Sequence, residues 1–256
     1  MELLKTTIGD YVVDPRDEFV CKELKSTGDY QPSERALYFH LLKPTDNVLW
    51  LGAHIGALLL PLSRVVDSVV AFEANPYTFS MFKKNIEFNS AKNIISHNLA
   101  VSDRFETVSF VCNVTNSGGS KRMPLVTDPM YFDDKTEILD VQAISIDAFL
   151  PDEHFDFIFM DIEGSEHVAM KGMPLAIARC RVLVVEFIPH HLKNVANITV
   201  DQFLEPLQAF DNIYIPELKQ RVSANGAREI FHKMYAENTG SSGCIFFNDD
   251  VSGGLA

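Results

Sequence analysis

The sequence predicts a doubly wound α/β domain built on a mostly parallel sheet, and three observations lead there. Short, almost wholly apolar runs such as "NVLWLG", "SVVAFEA", "FDFIFMDIEG" and "RVLVVEFI" recur along the chain. Stretches with apolar residues at helical spacing separate them, and strands that are apolar on both faces belong in a parallel sheet covered on both sides. The residues with chemical potential fall where these runs end, which is where ligands sit in an open sheet of this kind.

The elements follow in order. "PRDEFVCKELKSTG" and "SERALYFHLL" each show helical spacing, with Ser33 as the expected N-cap of the second and "GDYQP" (Gly28 to Pro32) as the loop between them. Residues 1–45 therefore read as a helical lead-in packed on a core that spans residues 46–256, one globular unit in all. From Asp46, "NVLWLG" is a strand, "HIGALLLPLSRVV" a helix and "SVVAFEA" the next strand. "PYTFSMFKKNIEFN" is a helix with Pro76 at a suitable first position, and "NIISHNLAV" is a third strand. "TVSFVCNV" and "LDVQAISI" flank the Gly- and Ser-containing "TNSGGSKR" and read as an inserted, hairpin-like excursion. Alternation resumes with "FDFIFMDIEG", a helix from Ser165, "RVLVVEFI", a helix near "VDQFLEPLQAF", then "NIYIP" and the closing strand "CIFFN". The tail "NDDVSGGLA" is small and polar and is expected to fray.

Composition narrows the function classes. The net charge of −13 gives no basis for binding a nucleic-acid phosphate backbone, and an anionic ligand would need a local positive patch. The four cysteines form no C-x-x-C pair, so zinc ribbons and redox dithiols lack support and free thiols in a reducing compartment are expected. Pro61 and Arg64 interrupt the longest apolar run short of a membrane span, and "MELLKTTIGDYVVD" has no cleavable signal pattern. A cytoplasmic location is expected, the N-x-T sequons at Asn113 and Asn197 read as coincidental, and the oligomeric state stays open. A serine hydrolase is disfavoured, because no G-x-S-x-G elbow occurs.

The run "NVLWLGAHIGALLL" breaks at Gly52 and Gly56, which permit a sharp turn close to a bound cofactor. Glu73 ends the next apolar strand about twenty residues further on, the place and spacing of an acid that binds ribose hydroxyls. The G-x-G-x-x-G spacing of dinucleotide folds is absent, and Ala53, His54 and Ile55 crowd the turn where a pyrophosphate would lie. A cofactor with a ribose and no pyrophosphate fits better, which points to S-adenosylmethionine rather than NAD. The expected contact set is Gly52, Ala53, His54, Gly56, Glu73, Ala74 and the Ala100 region, with His54 either touching the methionine part or stabilising the turn.

Together with those stretches, "NLAVSD", "VQAISIDAF", "FDFIFMDIEGSEHVAMKGM" and "RVLVVEFIPHHL" resemble, in order, the FkbM family of S-adenosylmethionine-dependent methyltransferases. The likeness runs from about residue 28 to the closing strand, and its most specific piece is the "DIEGSE" of Asp161 to Glu166. The resemblance implies a Rossmann-like class I methyltransferase fold with a seven-stranded, mostly parallel sheet. It also implies O-methylation of a hydroxyl on a sugar, glycolipid or secondary metabolite. By the same resemblance Tyr30 closes over the cofactor. Two positions depart from the family pattern, Trp50 in place of Asp and Phe159 in place of Lys. An indole cannot accept the hydrogen bond that the acid offers the methionine amino group, which leaves Asp161 as the neighbouring substitute.

Asp161 and Glu163, two apart at a strand end, are expected to point the same way, nearest the transferred methyl. They could also bind Mg²⁺, but no further ligand cluster occurs at short spacing, so no metal is assigned. Glu166 belongs to the first turn of the next helix, in a structural role. Glu186 ends another strand shortly before His190, a candidate general base. Lys121 and Arg122 in the insert could guide a phosphate- or carboxylate-bearing substrate. The alternative to an enzyme is a degenerate cofactor binder without turnover, and the acceptor pocket would come from loops around residues 113–135 and 188–225.

Overall fold

The computed structural model describes residues 1–132 and 136–248. Apart from Asn248, the tail expected to fray lies outside the described residues. The chain opens with β1 (Glu2–Lys5) and β2 (Asp10–Val13), an antiparallel hairpin added to the helical lead-in that the sequence suggested. The helices α1 (Val20–Thr27) and α2 (Pro32–Leu41) follow. Gln31 and not Ser33 is the N-cap of α2, because Pro32 takes the first helical position.

The core then alternates β3 (Asn47–Leu51), α3 (Leu59–Ser63), β4 (Ser68–Phe72), α4 (Pro76–Phe88) and β5 (Ile94–His97). The helix expected straight after Gly52 is short and late: residues 54–58 are turns, and every residue of α3 is buried. Asn75 caps α4 by accepting from the Tyr77 N–H at 3.0 Å, with Pro76 at the first helical position. The expected third strand is split in two. β5 stays in the main sheet, whereas β6 (Ala100–Val101) leaves it to pair with the insert.

The insert is more than a hairpin. β7 (Glu106–Asn113), β8 (Lys121–Arg122) and β9 (Thr136–Ile144) join β6 in a four-stranded sheet of order β6-β9-β7-β8. After it come α5 (Ile146–Phe149), β10 (Phe157–Met160), α6 (Glu166–Lys171), α7 (Pro174–Arg179), β11 (Val182–Phe187) and a π-helical segment, His191–Ala196. The chain closes with α8 (Val200–Leu204), β12 (Asn212–Ile215), β13 (Gln220–Ser223), α9 (Ala224–Ala236) and β14 (Ser241–Phe247).

Among the described residues the main sheet has eight strands in the order β13-β12-β14-β11-β10-β3-β4-β5, not the seven expected. β11, β10, β3, β4 and β5 are mutually parallel, and β14, β12 and β13 add on antiparallel at one edge. Alternation along the central strands gives each face its own core. Leu49, Leu51, Ile158, Met160, Leu183 and Val185 face one side, against α6, α7 and the C-terminal helices. Val48, Trp50, Phe157, Phe159, Val182 and Val184 face the other, toward the N-terminal hairpin and α2. Asn85 of α4 holds that second layer in place: its amide donates to the Val12 and Ile55 carbonyls and accepts from the Val12 N–H. Among the described residues no helix is long and apolar enough to cross a membrane.

Candidate active site

The carboxyl ends of β3, β4 and β10 open into a cavity of about 710 Å³, bounded on its outer side by residues of α1 and of the insert. Gly52 follows β3 directly with a φ of +88°, and a Cβ there would lie 1.8 Å from the Asp161 carbonyl oxygen. Only glycine lets β3 and β10 end side by side. The turn is tied to β4 by the Gly52 and Ala53 N–H groups, both donating to the Phe72 carbonyl at 3.0 Å.

Glu73 holds the same turn through its carboxylate. Oε2 accepts from the His54 N–H at 2.7 Å, while Oε1 accepts from the Asn75 N–H at 2.8 Å and the Thr78 hydroxyl at 3.0 Å. Burial raises its pKa above the ordinary carboxylate range, opposed by these hydrogen bonds. A carboxylate offers roughly four acceptor positions, so Oε2 keeps one for a ligand.

Tyr30, Gly52, Ala53, His54, Glu73, Ala74, Ala100, Asp161 and Glu163 all line this cavity. Gly56 and His190 are not among its lining residues. A Cβ on Gly56 would strike the Phe82 ring at 2.7 Å, so that glycine serves the packing of the turn on α4. His190 instead meets the Tyr131 hydroxyl, 3.0 Å from its Nδ1.

Beyond β10 the chain turns instead of running on. Glu163 has a φ of +56°, so the alternation of an extended strand does not govern how Asp161 and Glu163 point. They nevertheless converge, and β11 brings a third acid: oxygens of Asp161, Glu163 and Glu186 lie within 4.8 Å of one another, a spacing that can also hold a divalent cation. Burial, with Glu163 and Glu166 nearby, holds the Asp161 carboxyl well above its usual range. Glu166 is structural, as expected. Its Oε1 accepts from the Ile162 N–H at 3.0 Å and the Gly164 N–H at 3.3 Å, which fixes the turn.

The histidine that reaches this group is His191, not the neighbouring His190 expected from the sequence. Its Nδ1 is 3.1 Å from Glu186 Oε2 and its Nε2 is 3.3 Å from Glu163 Oε2. Burial, with Lys121 and His190 adding, depresses its pKa strongly, so the ring is neutral. A neutral imidazole has one N–H and one lone pair, and Nδ1 is the nitrogen that hydrogen-bonds, to Glu186. Burial, with Asp161 and Glu163 nearby, pushes the Glu186 carboxyl well above its ordinary range, which favours its protonated form beside that ring. Glu163 pairs instead with Lys121, at 3.2 Å. Lys121 is thus committed internally, and Arg122 pairs with Glu106 at 3.2 Å. Arg122 nevertheless lines the cavity.

The two departures noted in the sequence are neighbours. Trp50 and Phe159 sit opposite each other in the β3–β10 register and stack with ring centroids 4.0 Å apart. Tyr38 of α2 meets Phe159 edge-on at 5.6 Å, and both stacked rings also border the cavity. An aromatic pair therefore stands at the two positions where the resemblance leads one to expect Asp and Lys.

The family model of the methyltransferase FkbM domain matches residues 51–214. No curated protein matches the chain. Among solved structures it is similar to a methyltransferase FkbM from Methylobacillus flagellatus KT, at 18% identity and a TM-score of 0.47 over 80% of this chain and 44% of that one. The chain thus spans less than half the length of that protein. It is also similar to a precorrin-6y C5,15-methyltransferase from Geobacter metallireducens GS-15, at 13% identity and a TM-score of 0.40, over 78% of this chain and 74% of that one. A third likeness is to precorrin 8w decarboxylase from Methanobacterium thermoautotrophicum, at 11% identity and a TM-score of 0.43, over 92% of this chain and 94% of that one.

Proposed function

The chain belongs to the FkbM methyltransferase family, and from that premise we propose that it transfers a methyl group from S-adenosylmethionine to a hydroxyl of a sugar, glycolipid or secondary metabolite. The observation that carries this reading is the meeting of the β3, β4 and β10 ends on one cavity that Glu73, Asp161 and Glu163 all line. The cavity's volume, and the acceptor position left on Glu73 Oε2, suit a ribose-bearing cofactor.

When bound, the cofactor supplies an electrophilic methyl on a sulfonium sulfur, to be met in line by a nucleophile. Glu73 holds a ribose hydroxyl, and Gly52, Ala53, His54, Ala74 and Ala100 flank it. Asp161 takes the methionine ammonium that Trp50 cannot. Glu163, oriented by Lys121 and His191, accepts the proton of the acceptor hydroxyl as its oxygen attacks. The base role expected of His190 passes to this carboxylate. A net charge of −13 argues for a neutral or cationic small-molecule acceptor and against nucleic acid.

A screen of hydroxyl-bearing acceptors with methyl-labelled cofactor tests the assignment. Wild type is expected to label an acceptor, with transfer at least about a hundredfold slower in Glu163→Gln and weakened cofactor binding in Asp161→Asn. Labelling that neither substitution slows would overturn the site. The Trp50–Phe159 stack favours a second reading, a cofactor-binding protein without turnover. Firm cofactor binding with no transfer to any acceptor would establish it.

A further inference from the structure

Three segments distant in sequence meet at His54. Its Nε2 lies 2.7 Å from the Ser117 hydroxyl oxygen, and the Ser117 hydroxyl and N–H both donate to Asp17 Oδ2, the N–H at 3.0 Å. Asp17 Oδ1 in turn accepts from the Phe19 and Cys21 N–H groups, at 2.9 and 3.1 Å, at the start of α1. Asp17 and Ser117 are both buried.

The proton count along this chain is determined. A carboxylate only accepts, so the single Ser117 proton goes to Asp17. His54 must then donate from Nε2, which leaves Nδ1 as the ring's acceptor. Burial lowers the His54 pKa to about 4, against the raising effect of Asp17, so the ring is neutral near neutral pH. His54 lines the cavity, its N–H is bound to Glu73, and its φ of +49° is one a non-glycine residue adopts only when held. The segments that Asp17 and Ser117 tie together also border the cavity, through Phe19 and Glu23 on one side and Asn116 and Gly118 on the other.

We propose that Asp17, Ser117 and His54 form a hydrogen-bonded latch that closes α1 and the insert over the cavity and presents the His54 Nδ1 lone pair to an O–H or N–H of the bound cofactor. His54 is thereby a cofactor-binding residue, and Ser117 and Asp17 are positioning residues. The ligand half of this assignment rests on the cofactor reading above; the tautomer half does not.

Ser117 is the residue to vary, because Asp17 also holds the start of α1. Nitrogen-15 NMR of the imidazoles, with the His54 signal identified by its loss in His54→Gln, reads the tautomer. Calorimetry with S-adenosylhomocysteine reads the affinity. Wild type is expected to show the Nε2–H form. Ser117→Ala should lose that preference and bind about tenfold more weakly, and Ser117→Thr, which keeps a hydroxyl, should retain both. A wild-type Nδ1–H tautomer, or a folded Ser117→Ala with unchanged tautomer and affinity, would overturn the latch. A wild type with the Nε2–H form that binds no S-adenosylhomocysteine would overturn the cofactor reading and the ligand half, while leaving the tautomer half supported.

Discussion

Trp50 carries the clearest consequence at the scale of single residues. It is 1% exposed and stacked on Phe159, so an acid placed there alone would face an aromatic ring in a buried position. Trp50→Asp is therefore expected to cost about 3–5 kcal/mol of stability, from lost packing and an unpaired buried charge. Adding Phe159→Lys in the adjacent register position supplies the partner, and a double-mutant cycle by urea unfolding should show a favourable coupling of about 1–3 kcal/mol. Strict additivity would mean that the two positions do not act as a pair. Some of the site was legible at this scale. Glu73, Asp161 and Glu163 stood out as acids at or just past the ends of apolar runs, and all three line the cavity. His190 was expected instead of His191 because adjacent histidines look alike in sequence, and only the fold shows that the His191 ring lies against Glu186 and Glu163. The pairing of Trp50 with Phe159 was equally hidden, because the order of strands is not written in any one strand.

Among the elements, the turn from β10 into α6 shows how burial and charge are balanced. Glu166 is 2% exposed, and burial raises its pKa to about 7 against hydrogen bonds from its own, the Ile162 and the Gly164 N–H groups. The folded state thus favours its neutral form. Its contribution to stability is complete below the ordinary value of 4.5 and is lost as the pH rises through about 7. Glu166→Gln keeps an oxygen to accept from Ile162 and Gly164 but cannot ionise. Melting curves should show the variant gaining on wild type by about 2–3 kcal/mol between roughly pH 5 and pH 8. A difference that does not change with pH would remove the burial argument. The elements themselves were legible where short apolar runs stood between helical stretches, as in β3, β4, β10 and β11. β13 escaped because its "QRVS" is exposed and polar, and α3 was over-read because an apolar run does not separate buried turns from helix.

The molecule as a whole is a sheet whose two faces are filled differently and whose strand ends share one cavity. The parallel half was readable from apolar strands alternating with helices. The antiparallel edge and the four-stranded insert were not, because register and pairing depend on contacts between distant segments. The central claim is that the cavity binds S-adenosylmethionine through the ribose acid of β4. Calorimetric titration of wild type and Glu73→Gln with S-adenosylhomocysteine, with NAD as the comparison ligand, tests it most directly. One site is expected in wild type, weakened at least about tenfold in a folded Glu73→Gln variant through loss of a charged acceptor, with NAD binding more weakly than S-adenosylhomocysteine. No binding in wild type, equal binding in the variant, or tighter binding of NAD would contradict the account.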